Sequence, residues 1–198
     1  MDGDADNRRA RRRTFLSAAV ALPLAGLTSA MSQPLPLTPD CGHKPELTPS
    51  QTPGPFYTPD SPRRDSLVEP GSKVERLTVT GTVLSPQCKP VVNALLDFWH
   101  CDETGEYDNK GFRYRGHLFT DAHGRYSLVT IVPGLYPGRT RHIHVRVQAP
   151  RSRILTTQLY FPNEPRNASD GIYRRELTMQ VADKGQQREA RFDFIVAV

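Results

Sequence analysis

From Arg76 onward the chain alternates apolar and polar positions with a period of two. Leu77, Val79, Gly81 and Val83 interleave with Thr78, Thr80 and Thr82, the pattern of a half-buried strand, and Pro86-Gln87 supplies a turn behind it. The same reading predicts strands over Ala94 to Trp99, Gly124 to Ile131, His142 to Val147, Ile154 to Phe161 and Arg191 to Val196. The segments between them are rich in Gly, Pro, Asn or Asp, which interrupt both helix and ladder. No window beyond residue 30 sustains a helical period. The expected fold class is therefore all-β, an antiparallel β-sandwich or barrel.

Upstream of this pattern, Ser32 to Ser72 is dominated by Pro, Thr, Ser and Gly, a composition that disfavours regular pairing. Residues 31–72 are expected to form an extended N-terminal arm lying on a domain of residues 73–198. Residues 1–30 have a different character. Arg11-Arg12-Arg13-Thr14-Phe15-Leu16 leads into an apolar run from Phe15 to Leu27, too short to span a bilayer, and Thr28-Ser29-Ala30 offers small residues for cleavage. This is the order of a twin-arginine signal peptide, so the chain is expected to be exported.

Removing that segment changes the charge argument. It carries five Arg and three Asp, so the net charge of +5 falls to +3 in the remainder. No aromatic residues are interleaved with the Lys and Arg, so neither a nucleic-acid partner nor a membrane association of the mature form is expected. Of the three cysteines, Cys41, Cys88 and Cys101, the pair Cys88 and Cys101 flanks one predicted strand and is the favoured disulfide. Asn167-Ala168-Ser169 matches a glycosylation acceptor, which is incidental in a chain exported by a bacterial-type route.

The candidate chemistry begins at His142-Ile143-His144. Side chains two apart on a strand share a face, so both imidazoles point the same way. The pair alone is a weak signal: packed strand pairs and divalent-metal cupins show it too. Upstream lies Pro133-Gly134-Leu135-Tyr136-Pro137-Gly138-Arg139-Thr140-Arg141, placing a Tyr and an Arg on a turn-rich loop before the histidines.

With these residues the sequence resembles the intradiol ring-cleavage dioxygenases, the family of catechol, hydroxyquinol and protocatechuate dioxygenases. Val79-x-Gly81-x-Val83, Val91, Leu96-Asp97-Phe98 and Gly105-x-Tyr107 follow that family's signature. Gln51-Thr52-Pro53-Gly54-Pro55-Phe56-Tyr57 is similar to its N-terminal arm, and Leu155-Thr156-Thr157-Gln158-Leu159-Tyr160-Phe161 to the strand after the histidines. The sequence departs at Cys88, where Gly or Ser is usual, and in a short loop between Tyr136 and His142.

The resemblance implies a non-haem iron(III) bound by Tyr107, Tyr136, His142 and His144, with a solvent hydroxide as fifth ligand. Phenolates are hard anionic donors that suit the ferric state, and with hydroxide they neutralise its charge. It also implies that Tyr136 yields to the substrate, that Arg139 stabilises negative charge developing on the ring, and that Gln158 buttresses Arg139 or the pocket floor. The implied partners are a catecholic small molecule and O2, the product is a cis,cis-muconate-type dicarboxylate, and a homo-oligomer is allowed. His43 and His100 carry no pattern for a ligand, His123 reads as a solvent-exposed turn residue, His117 is a minor candidate for lining the pocket, and Trp99 is expected in the core. Two other classes fit parts of the pattern: a catalytically inert β-sandwich binding module, and a cupin-like divalent-metal enzyme using only the His pair.

Overall fold

A computed structural model describes residues 46–185 and 187–198. The expected leader, the first part of the arm, Cys41 and His43 lie outside the described residues. Among the described residues nine strands follow one another: β1 Arg76–Leu84, β2 Leu95–Trp99, β3 Arg115–Phe119, β4 Arg125–Ile131, β5 His142–Gln148, β6 Leu155–Tyr160, β7 Gln180–Asp183, β8 Gln187–Arg191 and β9 Phe194–Ile195. Short 3-10 turns at Pro165–Ala168 and Arg175–Leu177 are the only helical pieces among the described residues. No helix of the described residues is long and apolar enough to cross a membrane.

The strands form two sheets, one ordered β3-β2-β5-β6 and the other β4-β1-β8-β7, with β9 pairing β1. The alternation read along β1 is what buries it: Leu77, Val79 and Val83 are fully enclosed, each worth roughly 1.5–3 kcal/mol of transfer from water. They face Leu96, Phe98, Ile143, Val145, Val147 and Leu159 of the other sheet. The all-β expectation holds. Most pairings are antiparallel, but β1 runs parallel to β8 and to β9.

Three strands were not legible as such. β3 carries Arg115 and His117, while β7 and β8 are short, polar and largely exposed, so none alternates cleanly. The strand expected over Arg191 to Val196 is two: β8 ends at Arg191, β9 starts at Phe194, and Asp193 between them accepts the Thr82 amide at 2.7 Å. The favoured disulfide is also corrected. Cys88 is disulfide-bonded, but Cys101 is a free, buried thiol. Cys101 lies two residues beyond β2, and the Gly134 carbonyl accepts its S–H at 3.5 Å.

Residues 46–72 are the extended arm. Its route follows from its backbone hydrogen bonds: the Gln51 amide donates to Thr156 of β6 at 2.7 Å, Arg64 to His117 of β3 at 2.9 Å, and Leu67 to Val129 of β4 at 2.8 Å. The arm thus crosses the outer face of the β3-β2-β5-β6 sheet from one edge to the other. That face would otherwise meet solvent, and its cover makes room for a buried polar site.

Candidate metal centre

Register places the functional side chains in rows across this outer face. His142 of β5 pairs with Tyr160 of β6. One step along, Arg115, Trp99, His144 and Gln158 lie side by side on β3, β2, β5 and β6. The next row holds His117, Asp97, Arg146 and Thr156. Alternation puts Ile143, Val145 and Val147 on the opposite, core side, so the period that buries the core also gathers these polar groups.

Three of the four expected ligands converge at atomic range. The Nε2 atoms of His142 and His144 are 3.1 Å apart, and the Tyr107 hydroxyl is 3.3 Å from His142 Nε2. Donors around one ion at bonds of about 2.1 Å have separations of this size. The Tyr136 ring stands edge-on to Tyr107 with centroids 5.7 Å apart, and no hydrogen bond ties its hydroxyl to the other three. Among the described residues no group of three or more His, Cys, Asp or Glu could hold a metal, so a metal here depends on the phenols.

The histidines are buried, and burial sets their charge states. His142 is held down to about 4 and His144 well below its ordinary value, so both imidazoles are neutral. Burial raises the Tyr107 phenol above its ordinary value. Neutral imidazoles with a free lone pair suit a metal, and a Tyr107 phenol that resists ionisation because it is buried would be favoured as phenolate by a cation. His142 Nδ1 donates to the Thr140 carbonyl at 2.6 Å, leaving Nε2 as the lone-pair atom. His144 Nδ1 has no protein partner. Instead Trp99 stacks on its ring, with centroids 4.9 Å apart and planes within 6°.

Arg139 is held from two sides. Its Nε donates to Asp170 at 2.9 Å and its Nη2 to Gln158 Oε1 at 2.7 Å. Asp170 also accepts the Thr140 amide at 2.9 Å, so one carboxylate fixes both the guanidinium and the residue whose carbonyl orients His142. Gln158 donates in turn to the Thr52 carbonyl at 3.0 Å. Gln158 thus bonds Arg139 on one side and the arm on the other.

The arm closes the face. Phe56 stacks on Tyr107 at 4.5 Å and meets Tyr136 edge-on at 5.5 Å. Gly54 adopts φ +67° with a Cβ position 3.4 Å from the His144 ring, so a Cβ there would just touch the imidazole while straining the backbone. Tyr57 and Ser61 anchor the arm by donating to Asp97 at 3.1 and 2.7 Å. His117 binds Ser61 rather than the site, His123 is an exposed turn residue, and His100 is buried against Thr130. Trp99 is buried as expected, but against His144 rather than in the central core. Asp170, Trp99, Arg115 and Phe56 escaped assignment because their partners come from distant segments. The sequon residue Asn167 is spent on Phe161 and Thr140.

Comparison with known proteins agrees with this geometry. Residues 53–197 match the Dioxygenase_C family, described as dioxygenases. The chain is similar to the protocatechuate 3,4-dioxygenase beta chain of Burkholderia cepacia, 39% identical over 50% of each chain. It is 32% identical to catechol 1,2-dioxygenase of Candida albicans over 61% of this chain and 49% of that one. The chain thus spans about half the length of these curated relatives. The dioxygenase domain of a dioxygenase and carbohydrate-binding protein fusion from the cellulolytic bacterium Streptomyces sp. SirexAA-E superposes with a TM-score of 0.76 at 54% identity, covering 77% of this chain and 99% of that one. By sequence and fold, the chain belongs to the Dioxygenase_C family of dioxygenases.

Proposed function

We propose that this chain is an intradiol dioxygenase that opens a catechol-type ring between its two hydroxyl-bearing carbons, and that Tyr107, Tyr136, His142 and His144 hold iron(III). One observation carries the reading: a phenol and two neutral imidazoles from separate segments converge within 3.3 Å beside a second phenol, in a chain of this family. Bound there, a ferric ion would supply Lewis acidity that draws in a catecholate and activates it toward O2. Both oxygen atoms enter the product, a cis,cis-muconate-type dicarboxylate.

The chain's own groups account for the rest. His142 and His144 are kept neutral by burial and need shed no proton on loading. Tyr136 is half-exposed and not hydrogen-bonded to the other three, so it is the donor able to give way to a substrate oxygen and carry off a proton. Arg139, fixed by Asp170 and Gln158, places a cation where negative charge develops on the ring. Phe56, Trp99 and the arm exclude water. The twin-arginine pattern supports an exported enzyme.

The test is direct. Iron(III)-loaded protein should show a visible tyrosinate charge-transfer band and take up oxygen with at least one of catechol, protocatechuate and hydroxyquinol. Tyr136→Phe and His144→Ala should each lose most of that activity. A colourless iron-replete protein, or two variants as active as the parent, would overturn the proposal.

A further inference from the structure

Arg115 begins β3 and is 1% exposed, yet no step above needs it. Its hydrogen bonds go to backbone carbonyls: Nε and Nη2 to Asp108 at 3.0 and 2.7 Å, Nη1 to Phe56 at 2.5 Å. The Asp108 and Asp97 carboxylates offset its charge from nearby without hydrogen-bonding it, so a buried cation whose donors meet only carbonyl oxygens is still costly, and joining two loops requires no charge. The identity of the two carbonyls supplies the reason.

They bracket Tyr107. Asp108 is the next residue in the chain, and Phe56 is the residue whose ring covers the Tyr107 ring. The Asp108 carboxylate is committed to its own loop, accepting the amides of Lys110, Gly111 and Arg113 at 2.9 to 3.0 Å. That loop is therefore preformed, and its carbonyl meets the guanidinium as a fixed partner. On the sheet, Trp99 separates Arg115 from His144 in the same row, so Arg115 lies one strand beyond the Trp99–His144 stack.

We propose that Arg115 is a positioning residue that clamps the Tyr107–Asp108 turn to the Phe56 segment, so that the Tyr107 phenol meets His142 in one fixed orientation. Only a planar fork reaches both carbonyls at once; a Lys ammonium can serve one. The consequence for iron rests on the function proposed above, but the clamp is a property of the metal-free chain.

Hydrogen exchange of the metal-free protein, with its melting curve, separates the two. Arg115→Met should exchange the Gly54, Lys110, Gly111 and Arg113 amides at least tenfold faster while β2 and β5 stay protected. Arg115→Lys should restore the 110–113 amides or Gly54, but not both. Iron-loaded Arg115→Met should show a shifted charge-transfer band and a kcat about tenfold lower, with KM changed less. Unchanged exchange in both variants overturns the clamp, and so does protection lost evenly across the sheet, which would mark a packing residue. Should Arg115→Met fail to fold, Arg115→Lys decides: release of one segment supports the clamp, and release of neither refutes it. Faster exchange in a protein with no tyrosinate band would keep the clamp and discard the ferric site.

Discussion

Trp99 lies flat on His144, with ring planes within 6° and the two residues directly opposed on β2 and β5. A ligand imidazole is ordinarily oriented through its second nitrogen by a carbonyl or carboxylate. His142 follows that rule through Thr140, whereas His144 Nδ1 has no protein partner. The stack takes over the orienting task.

Replacing the indole should therefore be felt at the metal. Trp99→Leu is expected to weaken iron(III) retention about 10- to 100-fold, the range seen when the groups supporting a ligand are lost. Trp99→Phe should retain most of the affinity. Iron dissociation measured by chelator competition checks this, and equal affinities for both variants and the parent would contradict it.

Asp170 serves two donors at once, the Arg139 guanidinium and the Thr140 amide, each at 2.9 Å. Asp170→Asn weakens a charge-assisted pair without emptying the space. It should lower kcat roughly tenfold or more while costing about 1–3 kcal/mol of stability. Steady-state oxygen uptake and urea denaturation on the same sample separate the two effects. A fully active variant would mean that Arg139 needs no such anchor.

Gly105 links the loops of the two candidate tyrosines. Its φ is +95°, and a Cβ there would sit 2.5 Å from the Leu135 carbonyl oxygen, just before Tyr136. Gly105→Ala must strain the backbone and push the loops apart, at a cost of roughly 1–3 kcal/mol. The melting temperature should drop and the tyrosinate band weaken together. A stable variant with an intact band would show that the approach is looser than it looks.

Acid should destabilise the metal-free protein before its carboxylates titrate. His100 and His142 are lowered to about 4 and His144 well below its ordinary value, all chiefly by burial. Between their unfolded value near 6.5 and about pH 4, the unfolded chain binds protons that the folded chain does not, so stability falls as pH falls. Each group contributes up to about 1.4 kcal/mol per pH unit. Asp97, raised by burial, opposes this, but it is one group against three. Urea midpoints at pH 7.0 and 5.0 give the answer, and a flat profile would be inconsistent with buried neutral imidazoles.

The sequence by itself determined the strand period, and with it the two faces of β1 and β5. That is why the core of Val79, Val83, Ile143 and Val145 and the His142–His144 pair were both legible. Tyr107, Tyr136 and Arg139 were legible only through the family resemblance, because taken singly a loop tyrosine or arginine carries no period that marks it. The pairing of rows was not local. Trp99 meets His144, Asp170 meets Arg139, and Arg115 joins Asp108 to Phe56 only after strand register and the arm's path are set. The arm carried no periodicity, since its order comes from donating to β6, β3 and β4 rather than from its own pattern. For the same reason Cys88 and Cys101, near in sequence, do not bond: direction of side chains and loop packing, decided in three dimensions, outweigh separation along the chain.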